Sequence, residues 1–147
     1  QGRLQLQNHA QGARMILVDT SIWISLLRDR GGNLVKTFRQ RVGKEAYVLT
    51  RFNQLELLQG AKDLREWKVL ENYLGTQLYL EASTRTWTEA ARIYFDLRRK
   101  GLTINSPVDC CIAQVALENG ALLLHCDRDF EMIAEVRRLD QEYFRWQ

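Results

Sequence analysis

Two short runs constrain this chain more than anything else in it: Ile16-Leu17-Val18 and Ala121-Leu122-Leu123-Leu124, each wholly apolar and each followed closely by an aspartate, Asp19 or Asp127. Side chains alternate between the two faces of a strand, so a run without a polar residue has no face suited to water. Such strands fit a parallel sheet that is covered by helices on both sides. After the first run the pattern changes to Ile22, Trp23, Leu26 and Leu27, which fall at helical spacing, and Thr20 or Ser21 can cap that helix. Asp19 therefore stands where a strand hands over to a helix, at the carboxyl edge where open parallel sheets gather their ligands.

The remaining pattern repeats this alternation. A loop with Gly31 and Gly32 and a basic helical stretch lead to a second strand at Tyr47, Val48 and Leu49. Thr50 or Asn53 opens another helix, with Leu55, Leu58 and Ala61 facing the core and Glu56 in its first turn or two. Trp67, Val69, Leu70 and Tyr73 suggest a further helix, and Leu78, Tyr79 and Leu80 a third strand. Thr86-Trp87-Thr88-Glu89 has the form of a capping box for a helix that runs to Arg98, Arg99 and Lys100 and stops at Gly101. Ser106-Pro107-Val108-Asp109 is a second helix start, with proline at the first helical position, and that helix continues to Gly120. Residues 121–124 form the fourth strand, Phe130, Ile133 and Ala134 a short helix, and Tyr143, Phe144 and Trp146 an edge strand. The order predicts a three-layer α/β/α sandwich with a mostly parallel central sheet. A chain of 147 residues has room for one such core. Residues 15–147 are read as that domain. The polar residues 1–14 are read as a disordered cloning remnant or N-terminal extension, which removes His9 from the chemistry.

Composition narrows the chemistry. His9 and His125 are the only histidines, which excludes multi-histidine zinc sites and leaves carboxylate oxygens to build any metal centre. Oxygen donors favour Mg²⁺ or Mn²⁺. Cys110, Cys111 and Cys126 have neither disulfide nor zinc-knuckle spacing and are assigned to packing, as expected in a reducing cytosol. No apolar run is long enough to span a bilayer, so a cytoplasmic protein without a membrane partner is expected.

Asp19 after the first strand, Asp109 at the start of a helix and Asp127 after the fourth strand occupy comparable positions, because strand ends and helix starts share one edge of a parallel sheet. Glu56 can join them. Clustered without cations, four carboxylates would raise one another's pKa, and a divalent ion is the natural way to keep them ionised. Each also has a plainer reading: Asp19 and Asp109 as helix-capping or dipole residues, Glu56 as a solvated first-turn acid, Asp127 as a turn residue. Spacing alone does not decide between the two.

The motifs Met15-Ile-Leu-Val-Asp19-Thr20-Ser21, Glu56-Leu-Leu-Gln-Gly60-Ala61, Asp109-Cys-Cys-Ile-Ala113 and Asp127-Arg-Asp129-Phe130 resemble, in order and spacing, those of PIN-domain ribonucleases, with VapC-type toxins the nearest likeness. The resemblance covers nearly all of residues 15–147. It implies Asp19, Glu56, Asp109 and Asp127 as an acidic quartet, with Asp129 competing with Asp127 for the fourth place. It implies metal ligation by Asp19, Asp109 and Asp127, less firmly by Glu56 and Asp129, and a supporting role for Ser21. His125 departs from the pattern, since many relatives carry threonine there. It is weighed as a substrate contact or as a structural replacement for that hydroxyl.

The resemblance further implies an endoribonuclease that uses Mg²⁺ or Mn²⁺ to cleave RNA and leave a 3′-hydroxyl, as the toxin of a toxin–antitoxin pair. A homodimer and a cognate antitoxin protein are the implied partners. Arg128, inside the last acidic motif, is the best candidate for a phosphate contact. Arg85, Arg92, Arg98, Arg99, Lys100, Arg137 and Arg138 read more simply as solvated helix faces. Trp23, Trp67, Trp87 and Trp146 are assigned to the core or a subunit interface. The alternative is a PIN-like module that binds RNA or protein without cutting. A phosphoaspartyl enzyme of the haloacid-dehalogenase kind is disfavoured by Ser21, where a second aspartate would stand, and by the lack of a glycine-rich phosphate loop.

Overall fold

The computed structural model describes residues 14–146. The expectations for residues 1–13, His9 included, lie outside the described residues. Arg14, grouped with that segment, lies against Glu45 and Asp140 at 3.6 and 3.4 Å.

The elements follow the predicted alternation: β1 (Ile16–Val18), α1 (Thr20–Leu27), α2 (Asn33–Val42), β2 (Tyr47–Thr50), α3 (Arg51–Gln59), α4 (Leu64–Leu74), β3 (Tyr79–Leu80), α5 (Thr84–Arg99), α6 (Pro107–Asn119), β4 (Leu122–His125), α7 (Arg128–Ile133) and β5 (Gln141–Tyr143). The sheet order is β3-β2-β1-β4-β5, and every pairing is parallel. The chain thus fills one half of the sheet outward from β1 and then returns to start the other half at β4. The junction between β1 and β4 is the topological switch point, where the helices leaving the two strands cover opposite faces and open a crevice.

Strand alternation divides the core into two layers. Leu17, Val48 and Leu123 face Ala90, Ile93 and Leu97 of α5, Ile112, Ala113, Val115 and Ala116 of α6, and Phe130 and Ile133 of α7. Ile16, Val18, Leu49, Leu122 and Leu124 face Ile22 and Trp23 of α1, Phe38 of α2, Leu57 of α3 and Leu70 and Leu74 of α4. The apolar strand runs are therefore covered on both faces, as their composition requires. No helix among the described residues is long and apolar enough to cross a membrane.

Several local expectations are corrected. Asp19 itself caps α1, in place of Thr20 or Ser21, because its carboxylate reaches the Ser21 amide two residues on. Ser83 caps α5, and Thr86 is the reciprocal partner three residues later, so Glu89 lies outside the box. In α3 it is Leu57 that is buried, whereas Leu55 is 60% exposed, because the helix starts at Arg51 and its phase turns Leu55 outward. The last strand is Gln141–Tyr143, paired Leu123↔Gln141 and His125↔Tyr143; Phe144 leaves the sheet to pack on Phe38 with ring centroids 6.3 Å apart. Of the four tryptophans, Trp23 is buried and donates Nε1–H to the Val18 carbonyl at 3.1 Å, whereas Trp87 lies exposed against Phe52.

Candidate active site

Three helices begin around the switch point, and each places an acid there. Asp19 ends β1, and its Oδ2 accepts from the Ser21 amide at 3.1 Å and the Ser21 hydroxyl at 2.6 Å. The same hydroxyl accepts from the Cys126 amide at 3.0 Å, just past β4. Ser21 thereby ties the aspartate of one half-sheet to the strand exit of the other. Burial pushes the Asp19 carboxyl above its usual range even though the two Ser21 bonds favour the anion.

Asp109 is the third residue of α6, after the Ser106 cap and Pro107. Asp127 caps α7 through Oδ1, which accepts from the Asp129 amide at 2.9 Å. Asp129 is buried and its Oδ2 accepts from the Asn105 amide at 3.1 Å, which anchors the loop before α6 to the start of α7. One oxygen from each of Asp109, Asp127 and Asp129 lies within 4.8 Å of the others. Asp109 is pushed up to about 8, first by burial, then by a hydrogen bond shared with Asp129 and by the negative charges of Asp127 and Asp19.

Glu56, in the second turn of α3, accepts from the Thr20 hydroxyl at 2.8 Å through Oε1. Burial raises its pKa first, and the charges of Asp19 and Asp127 add to the rise. The five carboxylates named in the sequence analysis thus converge on one edge, and Asp127 and Asp129 stand there together. Among the described residues no ion pair includes any of the five. An all-oxygen, anionic, partly desolvated donor set suits a hard divalent cation such as Mg²⁺ or Mn²⁺.

Of the two readings of His125, its surroundings favour the structural one over the substrate contact. The residue is fully buried between Phe130 and Tyr143. The Asp127 amide donates to Nδ1 at 3.1 Å, so the ring proton sits on Nε2 and goes to Gln141 Oε1 at 2.6 Å. With both nitrogens committed, His125 holds the turn that carries Asp127. Arg128 is exposed at the first position of α7. Cys110 is buried, and its thiol is pushed up to about 12, by burial first and then by the Asp109 charge, so it offers no thiolate. Sequence reasoning missed Thr20 and Asn53 as parts of the site's surroundings, and Asn105 as the amide that fixes Asp129. An asparagine at a helix start, three residues before Glu56, was the one available signal.

A parallel α/β/α domain whose switch point is lined with acids, none of them in an ion pair among the described residues, defines a class of sites built to bind positive charge. The chain belongs to the PIN domain family, which matches residues 16–136. It is similar to the VapC ribonuclease Mb1587 of Mycobacterium bovis and to ribonuclease VapC11 of Mycobacterium tuberculosis, in each case 34% identical over 134 residues, covering 89% of this chain and 100% of the relative. In fold it resembles VapBC2 from Rickettsia felis bound to a DNA fragment from its promoter, at a TM-score of 0.71 and 17% identity over 87% of this chain and 97% of that one. It also resembles VapBC-1 from nontypeable Haemophilus influenzae, at a TM-score of 0.70 and 20% identity over 90% and 98% of the two chains.

Proposed function

We propose that this chain is a metal-dependent endoribonuclease and the toxin of a toxin–antitoxin pair, which hydrolyses RNA phosphodiester bonds at the acidic edge. The observation that carries this reading is the cluster of Asp109, Asp127 and Asp129 at the switch point, with Asp19 and Glu56 close enough to feel its charge and no ion pair to any of the five among the described residues. The names of the relatives, VapC ribonucleases, support the RNA substrate. Asp19, Asp109 and Asp127 are the residues that would hold Mg²⁺ or Mn²⁺, with Glu56 and Asp129 beside them. A divalent cation bound there would lower the pKa of water and neutralise charge that develops on the phosphodiester.

The protein's own contribution is placement. Ser21 fixes the rotamer of Asp19, the Asp129 amide fixes Asp127, and the Asn105 amide fixes Asp129, so the acids are preorganised before substrate arrives. Asp19, Asp109 and Asp127 also sit at the N-terminal ends of α1, α6 and α7, where helix dipoles partly offset their repulsion. Arg128 is free at the rim to meet an RNA phosphate. His125 is left out of the chemistry.

Solved structures that share this fold include toxin–antitoxin complexes, which supports a cognate antitoxin protein as partner. Exposed Leu64, Trp67, Val69 and Tyr73 on α4, with Ile24 and Leu27 on α1, offer apolar surface for a protein partner. Leu55 and Trp87 are further exposed apolar side chains, and light scattering that gives one chain mass at micromolar concentration would rule out the homodimer expected of this family.

The central test is cleavage of single-stranded and total cellular RNA by the purified chain with Mg²⁺ or Mn²⁺, with EDTA, and as Asp19→Asn and Asp109→Asn variants. Cleavage is expected only in the wild type with metal. Activity that survives EDTA or both substitutions would overturn the metal reading, and RNA bound but intact in every arm would favour a binding module.

A further inference from the structure

A buried chain of hydrogen bonds runs from the end of β2 to Glu56, and its direction can be worked out atom by atom. The Thr50 amide, which can only donate, lies 2.9 Å from one end of the Asn53 side chain, so that end is the oxygen. The Thr50 hydroxyl donates to the same Oδ1 at 2.8 Å. The other end, Nδ2, must then be the donor that faces Thr20 Oγ1 at 2.9 Å. Thr20 accepts there, and its own proton is left for Glu56 Oε1 at 2.8 Å. Thr50 and Asn53 are fully buried and Thr20 nearly so. No water can easily reverse the order.

We propose that Asn53 and Thr20 are positioning residues that hold the Glu56 carboxylate at the cation site. This rests on the metal-site reading of the previous section. Glu56 is half-buried and faces the like charges of Asp19 and Asp127, which push it outward toward solvent. Its long side chain has the rotamer freedom to go. A hydroxyl whose proton is already committed to Oε1 opposes that drift and keeps the carboxylate at the edge. The link also couples two halves of the fold, because Thr20 is the first residue of α1 and Asn53 lies in the first turn of α3. Partners that orient a ligand in this way typically change metal affinity by about 10- to 100-fold when removed.

The test is isothermal titration of Mn²⁺ into the full chain as wild type, Thr20→Val, Thr20→Ser, Glu56→Gln and the Thr20→Val/Glu56→Gln double variant. Thr20→Val is expected to weaken Mn²⁺ binding about 10-fold, Thr20→Ser to restore it, and the double variant to bind as Glu56→Gln alone. An equal loss from Thr20→Val in both backgrounds would show a merely structural threonine and overturn the proposal. No loss in the wild-type background would also overturn it. Circular dichroism checks that each variant folds, and Thr20→Ala takes the place of Thr20→Val if valine does not. Failure of the underlying reading has its own signature: a wild type that binds no Mn²⁺, or binding indifferent to Glu56→Gln, removes the site or its Glu56 arm, and this inference falls with it.

Discussion

Asp96 and Asp109 are the same side chain on neighbouring helices, and their surroundings are opposite. Asp96 lies on the outer part of α5, with Arg92 Nε and Arg137 Nη1 each 3.0 Å from its oxygens. The Arg92 hydrogen bond is the main force that holds its carboxyl below the usual range. Asp109 lies buried at the start of α6 among Asp127, Asp129 and Asp19, and is pushed up to about 8. The chain has 21 lysines and arginines for 18 acids, so cations are plentiful. Elsewhere they are used: Arg41 grips Glu142 through two bonds of 2.6 and 2.8 Å, and Arg51 meets Glu81 at 3.0 Å. Among the described residues the acids at the switch point have no ion pair, so although Asp19 and Asp127 cap helices and Asp129 holds the Asn105 amide, their mutual repulsion is not offset by a paired cation. That repulsion costs stability, and a ligand of opposite charge would relieve it.

The largest expected effect tests that cost. A folded-state pKa raised above the unfolded one means that the native protein binds the proton more tightly than the unfolded chain does. That stability is fully present below the unfolded value near 3.8 and is lost as pH rises toward about 8. The metal-free protein is therefore expected to melt lower at pH 8 than at pH 5, and Mn²⁺ is expected to raise Tm more at pH 8. Asp109→Asn removes the repulsion and should raise the metal-free Tm at pH 8 by about 5 °C or more while it abolishes cleavage. A variant that melts at or below wild type there would show Asp109 to be an ordinary structural acid, and the contrast with Asp96 would collapse.

A smaller effect belongs to Ser21. Its hydroxyl satisfies the Cys126 amide and donates to Asp19, so Ser21→Ala leaves an unpaired backbone N–H and a less anchored carboxylate. Urea denaturation is expected to show a loss of about 1–2 kcal/mol, the cost of one unmade partly buried hydrogen bond. A loss indistinguishable from zero would mean that water replaces the hydroxyl and that Ser21 does not hold the two half-sheets together.

What the sequence made legible follows from how local each determinant is. The apolar runs at 16–18 and 121–124 are short and uninterrupted, and burial on both faces is the only arrangement that suits them, so the parallel sheet could be read directly. Asp19 and Asp109 could be placed at helix starts for the same reason, since each stands beside a start signature, but their grouping with Asp127 and Glu56 came from the family resemblance, because spacing alone left capping and turn roles open. Leu55 was misplaced because the phase of α3 depends on the Thr50–Asn53 box, which shifts the buried stripe to Leu57. A structural role for His125 was one of its two sequence readings, but its partners could not be named, because Gln141 and Tyr143 reach it only through β5 pairing. The Asn53–Thr20 link spans 33 positions and exists only once α1 and α3 are docked. Asp129 was ambiguous because its partner is the Asn105 amide of a loop, and a loop amide leaves no mark in a residue pattern.

The smallest expected effects lie on the other side of the comparison, among the paired acids. Arg41 and Glu142 are partly exposed and bidentate, so Glu142→Gln should lower stability by about 0.5–1 kcal/mol at low salt and by less at 0.5 M salt, where screening weakens what remains. Asp96→Asn should lower Tm only slightly, because its pairs with Arg92 and Arg137 lie at the surface, where water competes for the same groups. Neither change should alter Mn²⁺ affinity or RNA cleavage. A paired-acid variant that lost as much stability as Asp109→Asn gains would mean that the fold depends on its ion pairs after all. If Asp96→Asn weakened cleavage with Tm intact, the division between acids that brace the surface and acids that face the ligand would have to be redrawn, with α5 placed in the RNA path.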